Sequence, residues 1–133
     1  MRKTILTMLL AVVSSSAAAE WVEVYPYEER WINYVDPATI SKAGDIVTML
    51  SLGDRKERPS NKYGSVKFVI EYDCKKKQYR ILDTSYHSGN MGGGTENHEK
   101  KVRPYWKSVR HTGIFEAQWM VACGKGQQSD PRK

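Results

Sequence analysis

Very little of this chain is equipped for metal, phosphate or nucleophilic chemistry. Only 2 of its 133 residues are cysteine, and neither a CxxC nor an HExxH pairing occurs, so the common zinc sites have no anchor. The three histidines, His87, His98 and His111, share no ligand spacing, and only His98 has a carboxylate beside it, Glu99. Gly92-Gly93-Gly94 stands in neither the G-x-x-x-x-G-K-[ST] nor the G-x-G-x-x-G arrangement, which excludes a P-loop and a dinucleotide fingerprint. No G-x-S-x-G nucleophile elbow is present. Long apolar runs are missing too. The run ILTMLLAVV at residues 5–13 falls well short of the about 20 residues a membrane-spanning helix needs. No catalytic residue, metal ligand or cofactor is expected, and no membrane span.

The short apolar run has a different meaning. Arg2 and Lys3 precede it, Ser14 to Ser16 break it, and Ala17-Ala18-Ala19 supply a small-residue cleavage site. Residues 1–19 therefore read as a secretory signal peptide, with a short buried helix as the alternative. No cysteine follows the alanines, so lipid attachment is not expected. The product is periplasmic or secreted, a single domain at residues 20–124 with a polar, disordered tail at 125–133. The whole chain carries a formal charge of +6, of which Arg2 and Lys3 leave with the signal. The remaining basic bias favours acidic partners.

Both cysteines, Cys74 and Cys123, lie in the exported part, where a disulfide is the simplest reading and a metal site the rival one. A bridge would close a loop of about 50 residues, worth roughly 4 kcal/mol by chain entropy.

The rest of the chain is punctuated like an antiparallel β protein. Strands are expected at residues 21–25, 31–36 and 45–52, with one helical turn at 37–42 after Asp36-Pro37. Residues 53–63 read as an exposed loop. Val66, Phe68, Ile70, Tyr72 and Cys74 alternate with Lys67, Val69, Glu71 and Asp73, the period of a half-buried strand. Lys75-Lys76-Lys77 joins it to a return strand at 78–87, GNMGGG at 89–94 is a loop, and a short strand is expected at 105–109. From Gly113 the period changes. Phe115, Trp119 and Cys123 share one helical face, Thr112 is the expected N-cap, and Gly124 fits the position past the C-terminus. Cys74 ends an apolar strand face and Cys123 an apolar helix face, so a bridge would clamp helix to sheet.

Basic residues gather at Lys75, Lys76, Lys77 and Arg80, and again at Lys100, Lys101, Arg103, Lys107 and Arg110, with Tyr79, Tyr105 and Trp106 between them. Basic plus aromatic residues can make a nucleic-acid surface. Export argues against that, so the candidate ligand surface (Lys75, Lys76, Lys77, Arg80, Lys100, Lys101, Arg103) is assigned an acidic protein or an anionic glycan, against a merely solubilising surface.

In order and spacing, the chain resembles the surface-adhesin protein E-like family of small exported bacterial proteins. The resemblance is carried by Trp21, INYVDPATI at 32–40, YDC at 72–74, Arg80, SYHSGNMGGG at 85–94, Trp106 and VAC at 121–123. It implies an α+β fold: an antiparallel sheet of about six strands with a C-terminal α-helix on one face, tethered by the disulfide. It also implies a non-catalytic binding protein, an adhesin contacting extracellular-matrix or other acidic glycoproteins. The alternatives are a periplasmic inhibitor or accessory protein that binds another exported protein, and a hydrolase whose site no motif reveals. An exposed edge strand could pair two copies into a homodimer.

Overall fold

The computed structural model describes residues 20–57, 63–100, 103–110 and 113–126. The signal segment 1–19, Lys101, the expected N-cap Thr112 and most of the polar tail lie outside these residues. Strands β1 (Val22–Glu23), β2 (Trp31–Ala43), β3 (Ile46–Arg55), β4 (Ser65–Asp73), β5 (Gln78–His87) and β6 (Glu96–Lys100) follow one another as an antiparallel meander. A two-residue strand, β7 (Lys107–Ser108), pairs with the start of β5 on the edge that β6 occupies further along. Helix α1 (Ile114–Ala122) crosses one face of the sheet. The α+β architecture and the antiparallel sheet expected from the sequence are both present.

Alternation decides the faces. Val47 and Met49 of β3 lie beside Tyr72 and Ile70 of β4, with Tyr79 next along on β5. All are buried, and α1 covers them with Ala117, Trp119 and Ala122. The helix is fastened at three points. Phe115 stacks on Tyr79 with ring centroids 4.2 Å apart. Trp119 donates its indole N–H to the Asp73 carbonyl at 3.1 Å. Cys74 and Cys123 are bonded, with Cα atoms 5.6 Å apart across 49 residues of sequence. Gly124, at φ +70°, ends the helix in the left-handed region.

Strand β3 runs on through Arg55, with Gly53 and Asp54 buried at the start of the expected exposed loop, and the strand expected at 105–109 is regular only at Lys107–Ser108. Three further expectations need correction. The helical turn at 37–42 is strand: β2 runs through it, with a bulge that sets Asp36 opposite Leu50 and Ser41 opposite Thr48. Pro37 has no N–H for the ladder, and Asp36 supplies substitutes: its Oδ1 accepts from the Ala38 N–H and its carbonyl from Thr39 Oγ1. Secondly, the strand expected at 21–25 is regular only at Val22–Glu23. Thirdly, residues 96–100, in which the sequence shows no element, form β6. All five are exposed, so no apolar alternation advertises them.

Candidate functional site

The basic residues fall into three groups. Lys75 and Lys76 are exposed at the tip of the β4–β5 hairpin, where the Asp73 carboxylate accepts both of their backbone N–H groups. Lys77 and Arg80 are tied into the fold. Lys77 Nζ pairs with Glu116 at 3.0 Å and lies 5.2 Å from the Trp119 ring. Arg80 Nε pairs with Glu71 at 2.6 Å, and its guanidinium covers Trp106 at 4.5 Å. Lys100 is exposed on β6, opposite Asp83.

The third group makes a cleft. Residues 103–110 run along the free edge of β5, carrying Arg103, Lys107 and Arg110, all exposed. A cavity of about 520 Å³ opens between Lys107, Arg110, Tyr79 and Phe115. A smaller one of about 90 Å³ continues past Arg103 and Tyr105. No carboxylate lines either among the described residues. Tyr105 is 71 % exposed and lies under the Lys107 ammonium at 5.2 Å. Burial raises the Tyr79 phenol above its usual range, while the Arg110 charge pulls the other way. Of the described residues expected at the ligand surface, the structure brings only Arg103 into this cleft; Lys107, Arg110 and Tyr79 complete it.

On the face that α1 crosses, a third cavity of about 310 Å³ lies beside the helix, walled by Trp31, Tyr63 and Tyr86. Nothing in the sequence groups these rings, which come from three separate segments. The opposite face carries the glycine loop. A 3-10 turn at Asn90–Gly92 is held down by Asp54, whose Oδ1 accepts from the Met91 N–H at 2.8 Å and Asn90 Nδ2 at 3.1 Å. Ser65 Oγ accepts from the Gly92 N–H and donates to the Gly89 carbonyl. Gly94, at φ +75°, approaches Ser88 so closely that a Cβ would lie 2.1 Å from its Oγ.

His111 lies outside the described residues, and His87 and His98 do not share a site. His87 is buried, with Nε2 2.9 Å from Ser85 Oγ and Nδ1 without a partner among the described residues. His98 sits between Asp83, at 3.5 Å, and Glu96. Among the described residues, no group of His, Cys, Asp and Glu is placed to hold a metal ion, and no helix is long and apolar enough to cross a membrane.

A meander sheet clasped by one disulfide-tethered helix keeps its open cavities at the sheet's edge and on the exposed part of its face. The chain belongs to the surface-adhesin protein E family, whose model it matches over residues 21–124. Crystal form II of Haemophilus influenzae protein E superposes with a TM-score of 0.59 at 15% identity, over 78% of this chain and 97% of that one. The selenomethionine form gives 0.58 at 14% identity, over 77% and 92%. Protein E from non-typeable Haemophilus influenzae gives 0.52 at 17% identity, over 84% and 91%. At such identities the likeness establishes the fold. No curated protein matches in sequence.

Proposed function

We propose that this chain is an exported, non-catalytic adhesin that holds acidic ligands, an extracellular-matrix glycoprotein or another anionic glycoprotein, in the cleft along residues 103–110. The observation that carries this reading is the concentration of Arg103, Lys107 and Arg110 on one cleft with no carboxylate in its lining among the described residues. Converging like charges focus the potential and raise the local concentration of an anion. The two guanidinium groups suit bidentate recognition of carboxylate or sulfate groups, and the exposed Tyr105 offers an apolar face for a sugar ring. Membership of a surface-adhesin family supports the role, and the signal-like residues 1–19 support export.

Heparin chromatography tests the cleft. The wild-type protein should be retained at about 0.15 M salt. A variant carrying Arg103→Ala, Lys107→Ala and Arg110→Ala should elute much earlier, and one carrying Lys75→Ala and Lys76→Ala only slightly earlier. Unretained wild type, or equal retention of the triple variant, would sink the reading. Surface labelling of intact cells tests the adhesin role: a protein confined to the periplasm would instead serve as a partner of another exported protein.

A further inference from the structure

The cleft along residues 103–110 is two cavities, and its cations are divided between them. Arg110 lines the larger cavity and Arg103 the smaller, while Lys107 and Tyr79 line both. A lone carboxylate or sulfate lies in one cavity or the other, so it meets Lys107 and one guanidinium rather than all three cations. None of the three forms an ion pair among the described residues, whereas Lys77 and Arg80 are paired with Glu116 and Glu71. Like charges left unpaired along one edge repel one another, and a ligand that answers all of them relieves the most repulsion.

The backbone that carries these cations is fixed before any ligand arrives. Ser108 and Lys107 pair with Gln78 and Tyr79 of β5, and the buried Val109 donates its N–H to the Lys77 carbonyl at 3.0 Å. Trp106 lies under the Arg80 guanidinium, and the floor of the cleft is Tyr79 stacked on Phe115. Groups on a fixed backbone lose less freedom when a ligand binds. Along this segment Arg103, Tyr105 and Lys107 are exposed, while Pro104 and Trp106 are half-buried. The exposed Tyr105 ring thus stands between two cations in the sequence.

These features select the ligand. Its anions must recur along one chain so that both cavities are served. A polypeptide laid here would need a strand edge to satisfy its amides, and β7 offers only two residues. A saccharide has no peptide backbone to satisfy, and a sugar ring has an apolar face to set against Tyr105. We propose that the cleft binds a linear acidic polysaccharide that runs through both cavities, with Lys107 between the two guanidinium contacts. The inference rests on the reading of the cleft as an anion site and adds that both cavities serve one chain.

The test is an NMR titration of the mature protein at about 0.15 M salt, where screening limits effects through space. The probes are a heparin hexasaccharide, sialyllactose with its single carboxylate, and hexaglutamate. The Arg103 and Arg110 Nε–H signals and the Tyr105 ring are followed. The hexasaccharide should shift all of them with one common midpoint and one-to-one stoichiometry. Sialyllactose should bind at least about tenfold more weakly, and hexaglutamate several-fold more weakly. Arg110→Ala should weaken the hexasaccharide midpoint read at Arg103 about fivefold, and Arg103→Ala the midpoint read at Arg110, because one chain links them. Both positions are exposed, so neither substitution opens the core. Different midpoints at the two arginines, an unchanged Arg103 midpoint in Arg110→Ala, sialyllactose as tight as the hexasaccharide, or tighter hexaglutamate would overturn the proposal and leave the cleft an anion site. No response to any of these probes would overturn both.

Discussion

At the scale of single residues, the buried polar groups set this protein's sensitivities. Tyr72 is fully buried, and its phenol is pushed far above the usual range by desolvation, so it stays neutral and donates to Gln118. His87 is the group that responds to mild acid. Burial lowers its affinity for a proton, the Lys67 charge and His98 lower it further, and Glu96 opposes them in part. The unfolded chain therefore binds a proton at His87 more readily than the folded one. The stability linked to His87 is fully present above the ordinary histidine value of 6.5 and is lost as pH falls below it. Urea midpoints should drop between about pH 6.5 and 5, and His87→Gln should flatten that drop; an unchanged slope would show that other groups dominate. The aromatic wall is equally a residue-scale feature, but a hidden one. Trp31, Arg55 and Tyr63 meet only because β2 and β3 pair in a register that sets Trp31 opposite Arg55.

At the scale of elements, legibility followed apolar period. Strand β4 and helix α1 bury one face each, so their patterns were readable, and the Cys74–Cys123 bond falls where those two patterns end. Removing it with Cys74→Ser and Cys123→Ser should lower stability by roughly 4 kcal/mol. Calorimetry would show this as a lowered Tm, and α1 amides should lose exchange protection before those of β3 and β4. Strand β6 and the bulge in β2 escaped notice for opposite reasons. The first has no buried face, and the second keeps a turn-like sequence inside a strand because Asp36 and Thr39 replace the ladder bonds. The glycine loop reads as a turn in the sequence but not as a turn held at several points. Asp54→Ala removes two of its bonds. Faster deuterium exchange at Met91 and Gly92, with β4 unchanged, is the expected result.

At the scale of the whole molecule, two cavities lie on either side of the N-terminal end of α1. Ile114 and Phe115 line both the cationic cleft and the aromatic groove. The cleft's concentration of cations predicts salt-sensitive binding: anion binding there should weaken steeply with ionic strength. The helix that closes the core thus also shapes both surfaces.

The sequence by itself pointed to antiparallel strands, a helical end, a disulfide as the simplest use of its two cysteines and a basic character, because each is written in local period, spacing or composition. Only the tertiary structure decided which cations are exposed for binding and which are bound to Glu71 and Glu116, and only it assembled the aromatic groove. The physical reason is that a strand's register and a helix's crossing position bring together residues from distant segments. No period along a single strand or helix encodes that meeting.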